Sequence, residues 1–230
     1  MHITRIILAT MFTTLFFNPA KAQDRLEDPN FGFGASGSGT YLVGAAGYHL
    51  GQDAKAQNPE TGFRLRNAMH FDSGAVVQIG YGRKFAHSNF RMQLDLTYFQ
   101  SKLSDNAWKA SGTTHNFFTA VTAYYDFMPE ATITPFLGVG VGVLTPITNG
   151  TLDDTATSTK LSTQDIAVMG AKAVAGVSAK LSEKIDVSLE YAYLYSSDYH
   201  IRVTVEGLGE RFTKTNLEDH IFTAGMRYSF

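Results

Sequence analysis

Ser196, Ser197, Asp198 and His200 lie within one short stretch, and a serine, an imidazole and a carboxylate are the parts of a hydrolytic triad. In such a triad the imidazole takes the serine proton and the carboxylate orients the ring. His87-Ser88-Asn89 is a second group of this kind. Nucleophile, base and orienter must converge in space, and neighbourhood in sequence does not supply that. Other chemistries find less support. Seven histidines form no H-E-x-x-H pattern and there is no cysteine to act as a soft ligand, so no metal site is expected. Gly138-Val139-Gly140-Val141-Gly142 has the wrong spacing for a dinucleotide loop and no helical pattern after it. No cofactor is called for.

A larger set of ionisable residues recurs at alternate positions: Lys84, Arg91, Asp95, Asp126, Lys172, Asp186, Glu190 and Arg227, four basic and four acidic. In FRMQLDLTY, Phe90, Met92, Leu94, Leu96 and Tyr98 take one parity and Arg91, Gln93, Asp95 and Thr97 the other. Strict alternation of this kind is a β-strand with one apolar and one polar face. IDVSLEYAYLY and the closing IFTAGMRYSF repeat it. Weaker copies give eight expected strands, at 39–50, 74–85, 90–100, 115–127, 132–144, 165–181, 185–196 and 217–230.

The connections alternate in length. Residues 86–89, 128–131 and 182–184 are tight turns, whereas 51–73, 101–114, 145–164 and 197–216 are long and polar. This is the layout of an up-and-down transmembrane barrel, with turns in the periplasm and loops outside. A soluble barrel of lipocalin type would turn its charges to water and its apolar face to a ligand. Here Phe85, Phe90, Tyr98, Tyr125, Phe127, Tyr195, Tyr228 and Phe230 end the apolar faces, as in the aromatic girdles of a membrane interface. The apolar face is therefore assigned to lipid. The charged set is assigned to the lumen, which in an eight-stranded barrel is just wide enough to be filled by side chains. Charges enclosed there should pair, giving an ion-paired plug.

The first residues set the compartment. Arg5, the apolar run from Ile6 to Phe17 and Ala20-Lys21-Ala22 have the order of a secretory signal peptide over 1–22, too short in its apolar part to span a bilayer. Residues 23–38 then form a polar periplasmic lead-in and 39–230 the barrel. Lysine and arginine number 19 and the acids 21; losing Arg5 and Lys21 but no acid leaves a net charge of about −4. Nucleic acid is thereby an unsuitable partner. A cysteine-free exported chain also has no disulfide framework.

TAYYDF, ITPFLGVGVGV, GVSAKLSEKIDVSLEYAY and the terminal AGMRYSF resemble the eight-stranded outer-membrane barrels of Opa-like and OmpA-like type, over essentially the whole mature chain. Thr122 departs from the Asn frequent at its position in relatives. The resemblance implies residence in a Gram-negative-type outer membrane and assembly by the barrel-assembly machinery, which reads a last strand ending on an aromatic. Met226, Tyr228 and Phe230 match that signal. It also implies a structural, adhesin-like role for a monomer whose loops meet a host or environmental ligand. Phe63, Arg64, Arg66 and Phe71 in the first long connection are the candidate contacts. A narrow solute porin is the alternative, and a lipid A-modifying enzyme a weaker one.

Overall fold

The structure, a computed structural model, describes residues 39–51, 54–57, 64–86, 88–105, 110–154, 157–163, 167–205 and 209–230. The expected signal peptide and lead-in, Phe63 and His87 lie outside the described residues, as do the side chains of Arg64, Arg66 and Phe71.

The strands are β1 (Thr40–Leu50), β2 (Ala54–Gln57), β3 (Arg64–Phe71), β4 (Gly74–Lys84), β5 (Phe90–Asp105), β6 (Ala110–Asp126), β7 (Ile133–Asp154), β8 (Thr157–Thr163), β9 (Val168–Lys180), β10 (Ile185–Ser196), β11 (Tyr199–Val205), β12 (Gly209–Thr215) and β13 (Glu218–Ser229). Every pairing is antiparallel. Eight of them, β1, β4, β5, β6, β7, β9, β10 and β13, close into a barrel. The closing seam joins β1 to β13 over the whole strand length, from Tyr41↔Ser229 to Leu50↔His220. In a hydrocarbon setting closure is obligatory, because a free strand edge would leave backbone groups without partners.

Alternation decides which way each side chain points. Along β5, Arg91, Gln93, Asp95, Thr97, Phe99 and Ser101 are buried inward, while Phe90, Met92 and Leu96 are exposed. On the outer wall Val139 is 68% exposed, Val141 64% and Leu189 63%. Apolar side chains bared on this scale fit a lipid-facing surface, since a water-soluble barrel would bury them. Aromatic pairs border this belt: Phe90–Tyr125 and Tyr228–Phe230 at one edge, Tyr98–Phe117 and Tyr191–Phe222 at the other. The tight turns are closed by local hydrogen bonds, as from Phe85 N to Phe90 O (3.1 Å) and from Leu181 N to Ile185 O (2.9 Å).

Beyond the long-connection end the structure departs from the expected loops. β5, β6 and β7 run 16, 17 and 22 residues, well past the ~9–11 needed to cross a bilayer. Their upper parts pair onward through β8, β11, β12, β2 and β3, and β3 returns to β5. The long connections thus carry a second closed ring of eight strand segments stacked on the first. The sequence reading misses it because stretches such as TSTKLST in β8 have no apolar face to betray a period of two. Threonine and valine nevertheless suit extended backbone, and neighbouring strands satisfy the ladder.

Candidate functional site in the barrel lumen

The inward faces build a lumen in layers. Nearest the short turns, Arg91 and Arg227 come in from β5 and β13. Arg91 Nε donates to Asp126 Oδ1 at 3.0 Å, and its guanidinium carbon lies 3.8 Å from the centre of the Tyr124 ring and 4.8 Å from that of Phe136. Arg227 donates twice to Asp186 Oδ2, from Nη2 at 2.6 Å and from Nε at 2.9 Å. Lys84 Nζ stands 3.9 Å from the same oxygen.

Above them Asp95 is wholly buried and collects the polar side chains of four strands. It accepts from Lys172 Nζ at 2.8 Å, from Thr122 Oγ1 at 2.7 Å and from Gln78 Nε2 at 3.1 Å, and also from Gln93 Nε2. A carboxylate in a dry barrel needs this many donors, since an unpaired charge there is strongly disfavoured. Glycine makes the room. A Cβ at Gly140 would come 2.6 Å from Thr122 Oγ1 and 3.1 Å from Lys172 Cγ, and one at Gly138 2.7 Å from the Tyr124 ring. The inward glycine run of β7 is a recess for neighbouring side chains.

Of the eight charged residues singled out in the sequence, all face inward. Seven join in three clusters: Arg91 with Asp126, Lys172 with Asp95, and Arg227 and Lys84 with Asp186. Glu190 has no ion-pair partner among the described residues. Gln78, Gln93, Thr122, Tyr41 and Tyr124 complete the network. Their inward parity was the available signal for them.

The layer toward the long connections is of another kind. Val76, Phe99, Phe118, Leu144, Leu194 and Ile221 pack together as buried apolar side chains inside the lumen. A polar clasp, His49 with Asp219, joins its edge. His49 Nδ1 is 2.9 Å from Asp219 Oδ2, and Nε2 donates to the Gln100 carbonyl at 3.0 Å. A carbonyl only accepts, so Nε2 carries a proton, and a further proton must lie between Nδ1 and the carboxylate. The ring reaches from β1 past β4 to β5 because Gly74 stands in between; a Cβ there would come 3.0 Å from Nε2. No protein partner among the described residues reaches the Asn116 amide, the Tyr124 hydroxyl or Asp219 Oδ1.

The remaining candidates are spread over the wall. Met226, Tyr228 and Phe230 are exposed on the outer face of the last strand. Ser196 is buried in the lumen, where its Oγ accepts from the Leu217 amide at 2.9 Å, while Ser197 and Asp198 are exposed. Ser196 is thus set inside the lumen, apart from the exposed Ser197 and Asp198 between β10 and β11.

A closed barrel with a lipid-type exterior and a filled polar interior is matched by one family model, that of the outer membrane protein beta-barrel domain, over residues 10–230. The chain belongs to this family. It is an outer-membrane β-barrel protein, consistent with the Opa-like and OmpA-like resemblance. Among solved structures it is similar to the outer membrane protein OprG of Pseudomonas aeruginosa, at 15% identity and a TM-score of 0.66, covering 84% of this chain and 97% of that one. It is also similar to the outer membrane protease OmpT of Escherichia coli, at 7% identity and a TM-score of 0.57, covering 85% and 98%. A major outer membrane protein of Thermus thermophilus matches at 10% identity and a TM-score of 0.53, covering 83% and 99%. At these identities the likeness concerns the fold. No curated protein matches the chain.

Proposed function

We propose that this barrel is a structural, adhesin-like protein of the outer membrane with a closed lumen, which meets its surroundings through the strand extension at the long-connection end. On this reading residues 1–22 are a signal peptide, the short turns face the periplasm and the extension stands outside. Met226, Tyr228 and Phe230 serve as the assembly signal, the protein is a monomer, and a host or environmental ligand binds the extension, with Phe63, Arg64, Arg66 and Phe71 as candidate contacts.

One observation carries the reading: the lumen holds a charge-paired layer under an apolar one, with Asp95, Phe99 and Leu144 all wholly buried. An ion crossing would have to break the Asp95–Lys172 pair and then pass between the packed side chains of Val76, Phe99, Phe118, Leu144, Leu194 and Ile221. The test is single-channel recording on the refolded mature chain, its barrel verified by heat-dependent gel mobility. A folded, electrically silent protein is expected. Steady ohmic steps would instead favour a narrow solute porin, the second reading, for which Glu190, lacking an ion-pair partner among the described residues, is the specific support. The engagement of Ser196 Oγ with the Leu217 amide supports a non-catalytic role over lipid A modification.

A further inference from the structure

Two tyrosine–histidine pairs sit on the outer wall at the long-connection edge of the apolar belt. The Tyr98 hydroxyl and His115 Nδ1 are hydrogen-bonded at 2.9 Å with rings stacked at 15°. The Tyr191 hydroxyl and His220 Nδ1 are bonded at 2.7 Å with rings at 21°. Each tyrosine also packs on a phenylalanine, Phe117 or Phe222, at 5.0 and 5.1 Å between centroids. From Phe90 to Tyr98 on β5, and from Phe117 to Tyr125 on β6, the outer wall runs eight residues. That is about 20 Å of height for a strand tilted by ~40°, close to the apolar thickness of an outer-membrane barrel. The pairs therefore stand where hydrocarbon gives way to headgroups.

Their charged surroundings differ. Gln100 faces His115 and Lys102 faces Thr113 across the β5–β6 ladder. The exposed Lys102 is thus the diagonal outward neighbour of His115, at roughly 7–8 Å between backbones and within reach of a long side chain. From β7 the ladder partner of His115 is Ile147, which brings no charge. Among the described residues one carboxylate belongs to the neighbourhood, that of Asp72, whose amide donates to the Lys102 carbonyl at 2.8 Å. In the tautomer in which Tyr98 donates to Nδ1, the ring proton is on Nε2, a second donor beside the ammonium group. The other pair has Tyr195 at the position that matches Lys102, and an acid opposite it. Glu218 is the next outward residue from His220 on β13, and it accepts from the Tyr193 hydroxyl at 3.4 Å and from Asn216 Nδ2 at 3.1 Å.

We propose that Tyr98, His115 and Lys102 form a binding site for the phosphate headgroup of an anionic membrane lipid, and that the Tyr191–His220 pair, beside Glu218, does not. The lysine and imidazole supply charge-assisted donors to phosphate oxygens, while Tyr98 and Phe117 lie against the upper acyl chain. The site rests on the membrane placement of the apolar belt given above.

Native mass spectrometry of the folded protein in micelles holding equal phosphatidylglycerol and phosphatidylcholine tests it. The unaltered chain should retain phosphatidylglycerol in several-fold excess. K102Q/H115Q should bring the two lipids to parity, K102Q alone should lose part of the excess, and H220Q should leave it unchanged. An excess that survives the double variant, or one that H220Q abolishes equally, overturns the proposal. So does displacement of the lipid by millimolar inorganic phosphate, which would make the ligand a free anion. Failure of the membrane reading would show separately, as failure of the chain to insert into vesicles.

Discussion

The two layers of the lumen fill the same width of barrel by opposite means. Around Asp95 four side chains donate to one buried carboxylate, so the layer holds together only as a set. Around Phe99 and Leu144 contact and volume suffice, and each side chain contributes on its own account. The contrast shows where specificity and where tolerance should be found. A hydrogen-bonded network punishes the loss of one member beyond that member's own contacts, because the survivors stay buried without partners. An apolar layer loses only transfer and cavity energy.

Substitutions can break or sharpen this comparison. The largest effect is expected for Asp95→Ala, which strands Lys172 and three hydrogen-bond donors; a loss of about 3–5 kcal/mol should appear in urea unfolding followed by gel mobility. Replacing both partners, Asp95→Leu with Lys172→Met, should recover most of that loss. If the double variant is as unstable as the single one, the network account is wrong. Next comes Leu144→Ala, at about 2–4 kcal/mol, and it should leave the bilayer current at zero because the charge-paired layer remains below it. A current from this variant alone would place the barrier in the apolar layer. Gly140→Ala should cost about 1–3 kcal/mol by pushing on Thr122 and Lys172, with no such penalty at Gly44, where a Cβ meets nothing within 4 Å. Smallest of all, Glu190→Gln should leave stability at or slightly above that of the parent, since it removes an enclosed charge with no ion-pair partner among the described residues. A loss comparable with that of Asp95→Ala would show that Glu190 is held by the network after all.

Much of this architecture is written in the alternation of the chain. Lipid outside and a packed lumen inside impose the period of two that FRMQLDLTY and IDVSLEYAYLY display, so the eight wall strands and the inward course of the charged residues are legible. What escapes does so for physical reasons. Phe99 and Phe118 each sit beside an outward aromatic, Tyr98 and Phe117, and side by side they read as an interruption of the pattern instead of an apolar layer within it. His49 and Asp219 are 170 positions apart, and neither has a local partner that marks it. The second ring of strands lies beyond the belt, where both faces of a strand can be polar and the period carries no signal.

The seam between β1 and β13 has a consequence in time. Each of its ladder pairs, from Tyr41↔Ser229 onward, joins segments separated by most of the barrel's sequence, and contacts of that span form slowly because a long loop must be closed first. The wall cannot be sealed while the last strand is still being made. Until Phe230 arrives, β1 keeps an open edge next to a full set of outward apolar side chains, the combination that most readily recruits strands from other molecules. Holding the unfinished chain apart from its copies is thus a requirement of the topology itself, whatever the finished barrel goes on to bind.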